Sequence, residues 1–270
     1  MGAYYNTDMT TLSLTTDFGL TNGFVGVMKG VIYGIAPEVK IVDITHLVRP
    51  QNVREGAYAL WRAAPFFPPG SIHVAVVDPG VGTERRPLGA RLGEQFYIAP
   101  DNGLLTPLIE DAERAGEAVE FVHLDNPRYW LPRVSRTFHG RDIFSPCGAY
   151  LATGVPLNEL GTPITDPMRL PLPHPEKTQD GWRAHVTIID IFGNLTTDLP
   201  AAFLAGCQNV LFRLRGHEVN GLVESYGHRR PGEVVALIDS EEFIEIAVVN
   251  GSAAALLGAQ EDDPVEVIVN

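Results

Sequence analysis

Residues 71–80, SIHVAVVDPG, combine an almost wholly apolar run with an aspartate, a proline and a glycine at its end. A strand of this composition is typical of the centre of a parallel sheet, where helices cover both faces. Ligands bind beyond the carboxyl ends of such strands, which is where Asp78 falls. The stretch therefore predicts a buried parallel strand that delivers a carboxylate to a binding site.

The sequence around this strand alternates between strand and helix patterns. In the first helix, the apolar spacing predicts one buried face made of Phe24, Val27, Met28, Val31 and Ile35. The other predicted elements are strands at 12–19, 39–46 and 118–124, a hairpin at 88–100, and helices at 53–64, after residue 103, and at 141–154. This alternation indicates the α/β class, with a mostly parallel central sheet in an N-terminal domain.

The character of the chain changes after a proline-rich segment, residues 162–177, TPITDPMRLPLPHPEK. Its five prolines and weak periodicity indicate a stiff linker. Short alternating or β-branched runs follow, separated by turn residues, which is typical of an antiparallel β domain. We therefore predict an N-terminal domain of residues 1–175 that includes the linker, and a C-terminal β domain of residues 176–270.

Composition limits the classes of partner. The chain has 270 residues, of which 45% are hydrophobic and 20% charged, and a formal net charge of −13. That charge argues against nucleic acid, which is bound through clustered Lys and Arg, and favours a cationic small molecule. Cys147 and Cys207 match no zinc or redox spacing, and the chain shows no leader or membrane-spanning run. We expect reduced core cysteines and a cytoplasmic protein without a membrane segment.

Polar residues end several predicted strands: Asp17, Asp78, and the pair Asp190 and Asn194. Each alone is as compatible with a turn former or helix cap as with a ligand contact. The tight DPGVG loop can return the Asp78 carboxylate toward Arg85 or Arg86, as either a structural or a functional ion pair.

Residues 137–146, TFHGRDIFSP, place a histidine before a predicted helix. His139 is compatible with a helix cap, a core histidine or a catalytic group, and the adjacent Arg141 and Asp142 are typical of a structural pair. No HExxH or comparable spacing relates the histidines to carboxylates, so we expect no metal site.

Some of these residues are typical of a nucleoside site. A carboxylate such as Asp17 at a strand end can accept hydrogen bonds from both hydroxyls of a ribose. Phe192 offers a flat apolar face, and Asp190 can pair with an ammonium group. The chain contains neither GxxxxGK[ST] nor GxGxxG, so a P-loop and a conventional dinucleotide fold are not indicated.

Seven ordered motifs carry a resemblance that spans residues 11–268: TTDFG, PQNVREGA, FFPPGSIHVAVVDPGVGTERR, APDNGLLTPL, TFHGRDIFSP, IDIFGNLTTDL and FIEIAVVNGSAA. Together they resemble the S-adenosyl-L-methionine (SAM) hydroxide adenosyltransferase family, also called SAM hydrolases. These enzymes are related to the fluorinating and chlorinating enzymes that attack the same carbon of SAM. The resemblance implies an N-terminal α/β domain, a C-terminal β-barrel-like domain, and a homotrimer with SAM bound between subunits.

The same resemblance assigns residues to roles. It implies a catalytic set of Asp78, Arg85 and His139, and a ribose contact from Asp17. It also implies substrate contacts from Asp190, Asn194 and Ser240 for the methionine part or the nucleoside, and from Glu245 and Val248 near the adenine. Phe192, with its flat apolar face, completes the predicted substrate-binding set. SAM is then the substrate, adenosine the product, and no cofactor is needed.

Three rival functions remain open at this point. A SAM-dependent halogenase of the same superfamily would form a 5′-halo-5′-deoxyadenosine. A SAM- or adenosine-binding protein would bind without turnover, and a metallohydrolase would lose activity with a chelator. The presence of Asp78, Arg85 and His139 favours water as the nucleophile, since the resemblance implies that halogenating relatives lack these residues.

Overall fold

The structure is a computed structural model that describes residues 10–207 and 209–269. Over this range the chain forms two compact units, the first ending at Leu170 and the second beginning at Pro171. The division falls inside the proline-rich segment.

The first unit contains a sheet of seven strands and four α-helices among its described residues. The strands are β1 (Thr11–Thr16), β2 (Lys40–Thr45), β3 (Ile72–Val76), β4 (Pro87–Leu92), β5 (Gln95–Pro100), β6 (Val119–His123) and β7 (Thr162–Ile164). The helices are α1 (Phe24–Ile35), α2 (Val53–Ala63), α3 (Thr106–Ala115) and α4 (Ser145–Ala152).

The sheet is mixed, in the order β2-β1-β3-β5-β4-β6-β7. The pairs β1–β2, β1–β3 and β3–β5 are parallel, and the other three are antiparallel. Only β4 and β7 therefore run against the common direction, which confirms a mostly parallel sheet. Every residue of β3 is buried, as its apolar sequence predicts.

The buried face of α1 differs from the predicted one. The helix buries Val25, Met28 and Ile32, whereas Phe24 and Val27 are exposed. Apolar residues occur almost all round this helix, so periodicity does not select a single face. The ring of Phe24 instead packs edge-on against Phe18 and Phe138.

The interpretation of residues 162–177 as a linker is wrong for its first part. Residues Thr162–Ile164 form β7, which pairs with β6 at the edge of the sheet. Pro163 is compatible with this position because an edge strand has one side without ladder hydrogen bonds. The backbone N–H groups of Met168 and Leu170 also donate to the side chains of Asp101 and Thr106. This segment is therefore tied to the first unit.

The second unit is an antiparallel β structure, as predicted. Its strands are β8 (Glu176–Lys177), β9 (Gly181–Ile189), β10 (Leu195–Pro200), β11 (Val210–Leu214), β12 (His217–Asn220), β13 (Val234–Ile238), β14 (Phe243–Val248) and β15 (Pro264–Val269), with one short helix, α5 (Ala253–Leu257). The order is β12-β11-β15-β9-β10-β14-β13, with β8 beside β9. The terminal strands β12 and β13 contact each other, so the sheet forms a nearly closed barrel.

In the described part of the chain, no helix combines the length and apolar character needed to cross a membrane. Both cysteines are free thiols. Cys147 is fully buried, as expected, whereas Cys207 is only partly buried beside the barrel core.

Candidate active site

The loops at the carboxyl ends of β1 and β3 border a cleft of about 720 Å³ in the first unit. Asp17 follows β1 and Asp78 follows β3, and both line this cleft together with His139. The parallel pairing of β1 with β3 brings the two strand ends side by side. Three residues predicted from separate motifs therefore share one cavity.

Arg85 joins Asp78 to His139. Its guanidinium group donates to both carboxylate oxygens of Asp78, with a distance of 3.1 Å from Nε to Oδ1. The same Nη2 lies 3.1 Å from Nδ1 of His139. The side chains of Arg85 and Asp78 are 7% and 5% exposed, so this is a buried ion pair that extends to an imidazole.

The remaining surroundings of Arg85 are apolar on one side. Its guanidinium carbon lies 5.2 Å from the ring centre of Phe144, in a cation–π arrangement. Its buried Nη1 makes no hydrogen bond to any described residue. A buried N–H group of this kind is costly unless it has a partner, so Nη1 is a candidate donor to a bound molecule.

Burial shifts the pKa values of Asp78 and His139. Burial raises the pKa of Asp78, and the opposing effect of the Arg85 charge does not cancel this increase. Burial and then the positive charge of Arg85 lower the pKa of His139. Because Nη2 can only donate, Nδ1 of His139 accepts, which corresponds to a neutral imidazole.

The loop that carries Arg85 is anchored by its next residue. Arg86 pairs with buried Asp101 at 2.7 Å and with exposed Asp166 at 3.0 Å. Nδ2 of Asn102 donates to the carbonyl oxygen of Val77 at 2.9 Å. Of the two predicted partners for Asp78, the structure selects Arg85, and Arg86 supports the loop.

His139 lies directly before a π-helical turn, Gly140–Phe144, which leads into α4. Asp142 is fully buried, accepts from the backbone N–H of Ser135 at 2.7 Å and pairs with Arg141. Arg141 lines the cleft, but its charge is directed to Asp142 and to the face of Phe138. These contacts agree with a structural role for the Arg141–Asp142 pair.

The Asp17 carboxylate is oriented by a hydrogen bond from Gln51, a residue with a strained backbone conformation. Its Oδ2 accepts from the backbone N–H of Gln51 at 2.8 Å. Gln51 has a φ of 66°, in the left-handed region that is uncommon for residues other than glycine. This hydrogen bond occupies one carboxylate oxygen and fixes the orientation of the other.

The predicted substrate-binding residues 190–194 form a tight turn between β9 and β10 in the second unit. Oδ1 of Asp190 accepts from the backbone N–H groups of Phe192 and Asn194, each at 2.8 Å. Nδ2 of Asn194 donates to Oδ2 of Asp190 at 3.1 Å. The ring of Phe192 is 74% exposed, so it is available as a stacking surface.

The other three residues predicted in the second unit differ in exposure. Ser240 is exposed in the turn after β13, whereas Glu245 and Val248 are buried on β14. The hydroxyl of Tyr226 donates to Oε1 of Glu245 at 2.7 Å. Burial and then Glu245 raise the pKa of Tyr226, with a smaller contribution from Asp190. Sequence reasoning missed Tyr226, since no motif includes it.

Sequence reasoning also missed the aromatic wall of the cleft. Phe18, Phe24 and Phe138 contact each other edge to face, with ring centres 5.3 to 5.9 Å apart. Phe18 and Phe138 lie inside the quoted motifs TTDFG and TFHGRDIFSP, and Phe24 begins α1, so the signal available was the aromatic residue beside each polar one. The three rings therefore give the cleft an apolar part of its wall.

The histidines do not converge on a common centre. His46 and His73 each face a different hydroxyl group of β1, and His123 lies beside Asp125. Across residues 10–207 and 209–269, no group of three or more His, Cys, Asp or Glu side chains has the arrangement of a metal site.

Comparison with known proteins identifies the family of this chain. Residues 12–161 match the model of the SAM hydroxide adenosyltransferase N-terminal domain, and residues 184–266 match that of the C-terminal domain. The (R)-S-adenosyl-L-methionine hydrolase of Salinispora tropica is 41% identical over 260 residues, which cover 95% of this chain and 97% of that protein.

A crystal structure of an uncharacterized conserved protein from Thermotoga maritima superposes with a TM-score of 0.87 at 36% identity. The match covers 95% of this chain and 99% of that one. A fluorinase of Actinoplanes sp. is more distant, with 31% identity over 70% of this chain and 71% of its own length. Both domain models match in order, so the chain belongs to the SAM hydroxide adenosyltransferase family.

Proposed function

We infer that this protein hydrolyses SAM to adenosine and L-methionine. The observation that carries this inference is that Asp78 and His139, joined by the buried guanidinium of Arg85, line one cleft together with Asp17. Family membership and the hydrolase named for the Salinispora relative support the same reaction.

The chemistry explains why such a set is needed. Water attacks C5′ of the ribose in line with the carbon–sulfur bond, the C5′–O bond forms, and the C5′–S electron pair moves to sulfur. Methionine then leaves as a neutral thioether, so the leaving group needs no proton. The difficulty lies in the nucleophile, because water is weak and must be both positioned and deprotonated.

We propose the following roles for the three residues. Asp78 orients the attacking water and accepts its proton. Arg85 uses its Nη1 to stabilise the developing hydroxide charge, and Nη2 holds Asp78. His139 accepts from Arg85 in its neutral form and so fixes the guanidinium plane.

We further propose that substrate binding uses both units. Asp17 accepts from the ribose hydroxyls, while the second unit contributes Asp190, Phe192, Asn194, Ser240, Glu245 and Val248. We propose that these groups meet between subunits of a homotrimer in the cytoplasm, and that catalysis requires no cofactor or nucleic acid. Light scattering with multi-angle detection tests the assembly, and a mass other than three chains rejects the trimer.

The reaction is tested by incubating the purified protein with SAM in ¹⁸O-labelled water and chloride-containing buffer, with products identified by mass spectrometry. The assay uses both epimers at the sulfonium centre, since the Salinispora relative is named for the (R) form. Labelled adenosine and equimolar methionine support hydrolysis. A 5′-chloro-5′-deoxyadenosine product indicates a halogenase, intact bound SAM indicates a binding protein, and inhibition by a chelator indicates a metallohydrolase.

A further inference from the structure

A buried histidine outside the catalytic set contacts the strand end that leads into Asp17. Nδ1 of His46 lies 2.8 Å from the hydroxyl oxygen of Thr16, the last residue of β1. Both side chains are buried, His46 being 3% and Thr16 0% exposed. The contact therefore lies inside the core, directly behind the loop that borders the cleft.

The Asp43 carboxylate lies on the other side of the His46 ring, close to Nε2 but without forming a hydrogen bond to it. Nε2 of His46 lies 3.1 Å from Oδ1 of Asp43, whose Oδ2 accepts from Nζ of Lys29 at 2.6 Å. Burial would raise the pKa of Asp43, but the contacts with Lys29 and His46 outweigh it and lower that pKa. We assign the ring proton to Nε2, on the side of the ionised Asp43 carboxylate, which leaves Nδ1 as an acceptor.

The series of contacts from Asp43 through His46 and Thr16 continues to the backbone of the loop after β1. With Nδ1 as acceptor, the Thr16 hydroxyl donates to His46, and its oxygen is oriented to accept from the backbone N–H of Phe18 at 3.2 Å. The backbone N–H of Gly19 donates to the carbonyl oxygen of His46 at 2.8 Å. The two residues after Asp17 are thus tied to one histidine, through its side chain and its main chain.

A carboxylate, an imidazole and a hydroxyl in series also occur in nucleophilic enzymes, but this series does not have that role. The Thr16 hydroxyl is fully buried and already contacts both His46 and the Phe18 backbone. It has no access to a substrate, so the series acts on the loop.

We propose that His46 is a positioning residue that sets the conformation of residues 17–19, so that the Asp17 carboxylate faces the ribose. The proposal rests on the proposed function for the identity of the ligand. The distance and burial of the His46–Thr16 contact carry it, and the Gln51 hydrogen bond to Asp17 completes the support from the opposite side.

The chain contains a matched control on the same strand. Ser13, three residues before Thr16 on β1, has its hydroxyl oxygen 2.6 Å from Nδ1 of His73, and both side chains are fully buried. This pair has the same chemistry but lies about 10 Å farther from the strand end. Changing His73 therefore tests the general cost of losing such a pair inside the sheet.

Two substitutions of His46 distinguish the role of its Nδ1 acceptor from that of its Nε2 donor. His46→Asn keeps an acceptor near the position of Nδ1, and His46→Gln keeps a donor near Nε2 but removes the acceptor for Thr16. We expect His46→Gln to raise the KM for SAM and the Kd for adenosine about tenfold, the effect of one lost hydrogen bond. His46→Asn changes both about threefold or less, and kcat changes little in either variant. His73→Gln, which removes the acceptor for Ser13 in the same way, lowers stability but leaves KM and Kd unchanged.

Amide hydrogen exchange provides a readout that does not need turnover. In the wild-type protein, the amides of Phe18 and Gly19 are expected to be protected, and His46→Gln to accelerate their exchange. Unprotected amides in the wild-type protein overturn the proposal, as does an unchanged KM and Kd in a folded His46→Gln variant. If the wild-type protein neither cleaves SAM nor binds adenosine, the proposed function fails, whereas the exchange result still decides whether His46 sets the loop.

Discussion

Gly82, in the loop after β3, lies against the carbonyl oxygen of Arg136, three residues before His139. A Cβ atom at Gly82 would overlap that oxygen, and Gly82 has a φ of 77° that disfavours other residues. The loop that carries Asp78 and Arg85 therefore packs backbone to backbone against the segment that carries His139. This close approach explains how residues 54 positions apart in sequence reach hydrogen-bonding distance.

Replacing Gly82 with alanine is expected to separate these two segments. The added methyl group must displace either the loop or the Arg136 backbone, and a shift of about 1 Å in a catalytic group can reduce a rate about 100-fold. We expect kcat to fall by about that factor, with a smaller change in KM, measured by steady-state release of adenosine.

Gly80→Ala is the matched control in the same loop. A Cβ at Gly80 would lie 3.5 Å from Cβ of Arg85, an ordinary contact, and its φ is not in the positive region. This variant should keep kcat within about threefold. Equal losses in both variants would show that the loop tolerates no methyl group anywhere, and the Gly82–Arg136 contact would then have no special role.

Asp78→Asn is expected to reduce kcat by about 10²–10⁴-fold, because it removes the proposed proton acceptor while keeping the shape of the side chain. In the proposed mechanism Asp78 contacts the reacting water and not the nucleoside, so the Kd for adenosine should change little. Single-turnover kinetics and calorimetric titration with adenosine measure the two effects separately.

Asp166→Asn gives a comparable change in an exposed ion pair. Asp166 pairs with Arg86 at 3.0 Å, but its side chain is 75% exposed, so the expected effect on activity is small. A folded Asp78→Asn variant with wild-type kcat would reject the assignment of Asp78 as the base.

The pKa directions predict an acid limb in the pH profile of kcat/KM. Burial raises the pKa of Asp78 above its usual range, and this carboxyl must be ionised to accept a proton. Burial and the charge of Arg85 lower the pKa of His139, and this ring must be neutral to accept from Arg85. Both groups reach the active form as pH rises, so activity should increase from acid toward neutral pH without a fall due to either group above it.

Steady-state profiles of the wild-type protein and of His139→Asn check this sign. The variant should retain the acid limb from Asp78 at reduced kcat, because asparagine does not titrate. A descending limb just above neutral pH that disappears in His139→Asn would show instead that His139 acts as a protonated acid.

The sequence predicts the site best where chemistry and strand pattern coincide. The buried β3 run ends at Asp78, the DPGVG glycines indicate a tight loop, and Arg85 is the partner that the loop reaches. At this loop, the local sequence pattern and the Asp78–Arg85 contact depend on the same residues. The class of each unit follows in the same way, since strand alternation with helices and short antiparallel runs are both local signals.

The sequence predicts poorly those features that depend on contacts between distant segments. Helix α1 carries apolar residues on almost every side and only one charged residue, Lys29, so periodicity does not define its buried face, and its orientation is set by the sheet and by Phe138. The edge strand β7 contains a proline, which local rules assign to a loop. Tyr226 and Gln51 gain their roles from a single hydrogen bond to a residue far along the chain, and no motif records such a partner.

Asp142→Asn is expected to lower stability much more than activity. Asp142 is fully buried, pairs with Arg141 and accepts from the Ser135 backbone, so the substitution weakens three charge-assisted hydrogen bonds. A cost on the order of 2 kcal/mol and a decrease of about 5 °C in Tm follow from such a loss, measured by scanning calorimetry. Glu218→Gln, which breaks the exposed pair with Arg213, should shift stability by less than about 0.5 kcal/mol.

Well below its Tm, the Asp142 variant should keep kcat within about threefold, because neither oxygen of Asp142 bonds to Asp78, Arg85 or His139. A 100-fold loss of kcat in the folded variant would instead make the Arg141–Asp142 pair part of the support that His139 requires.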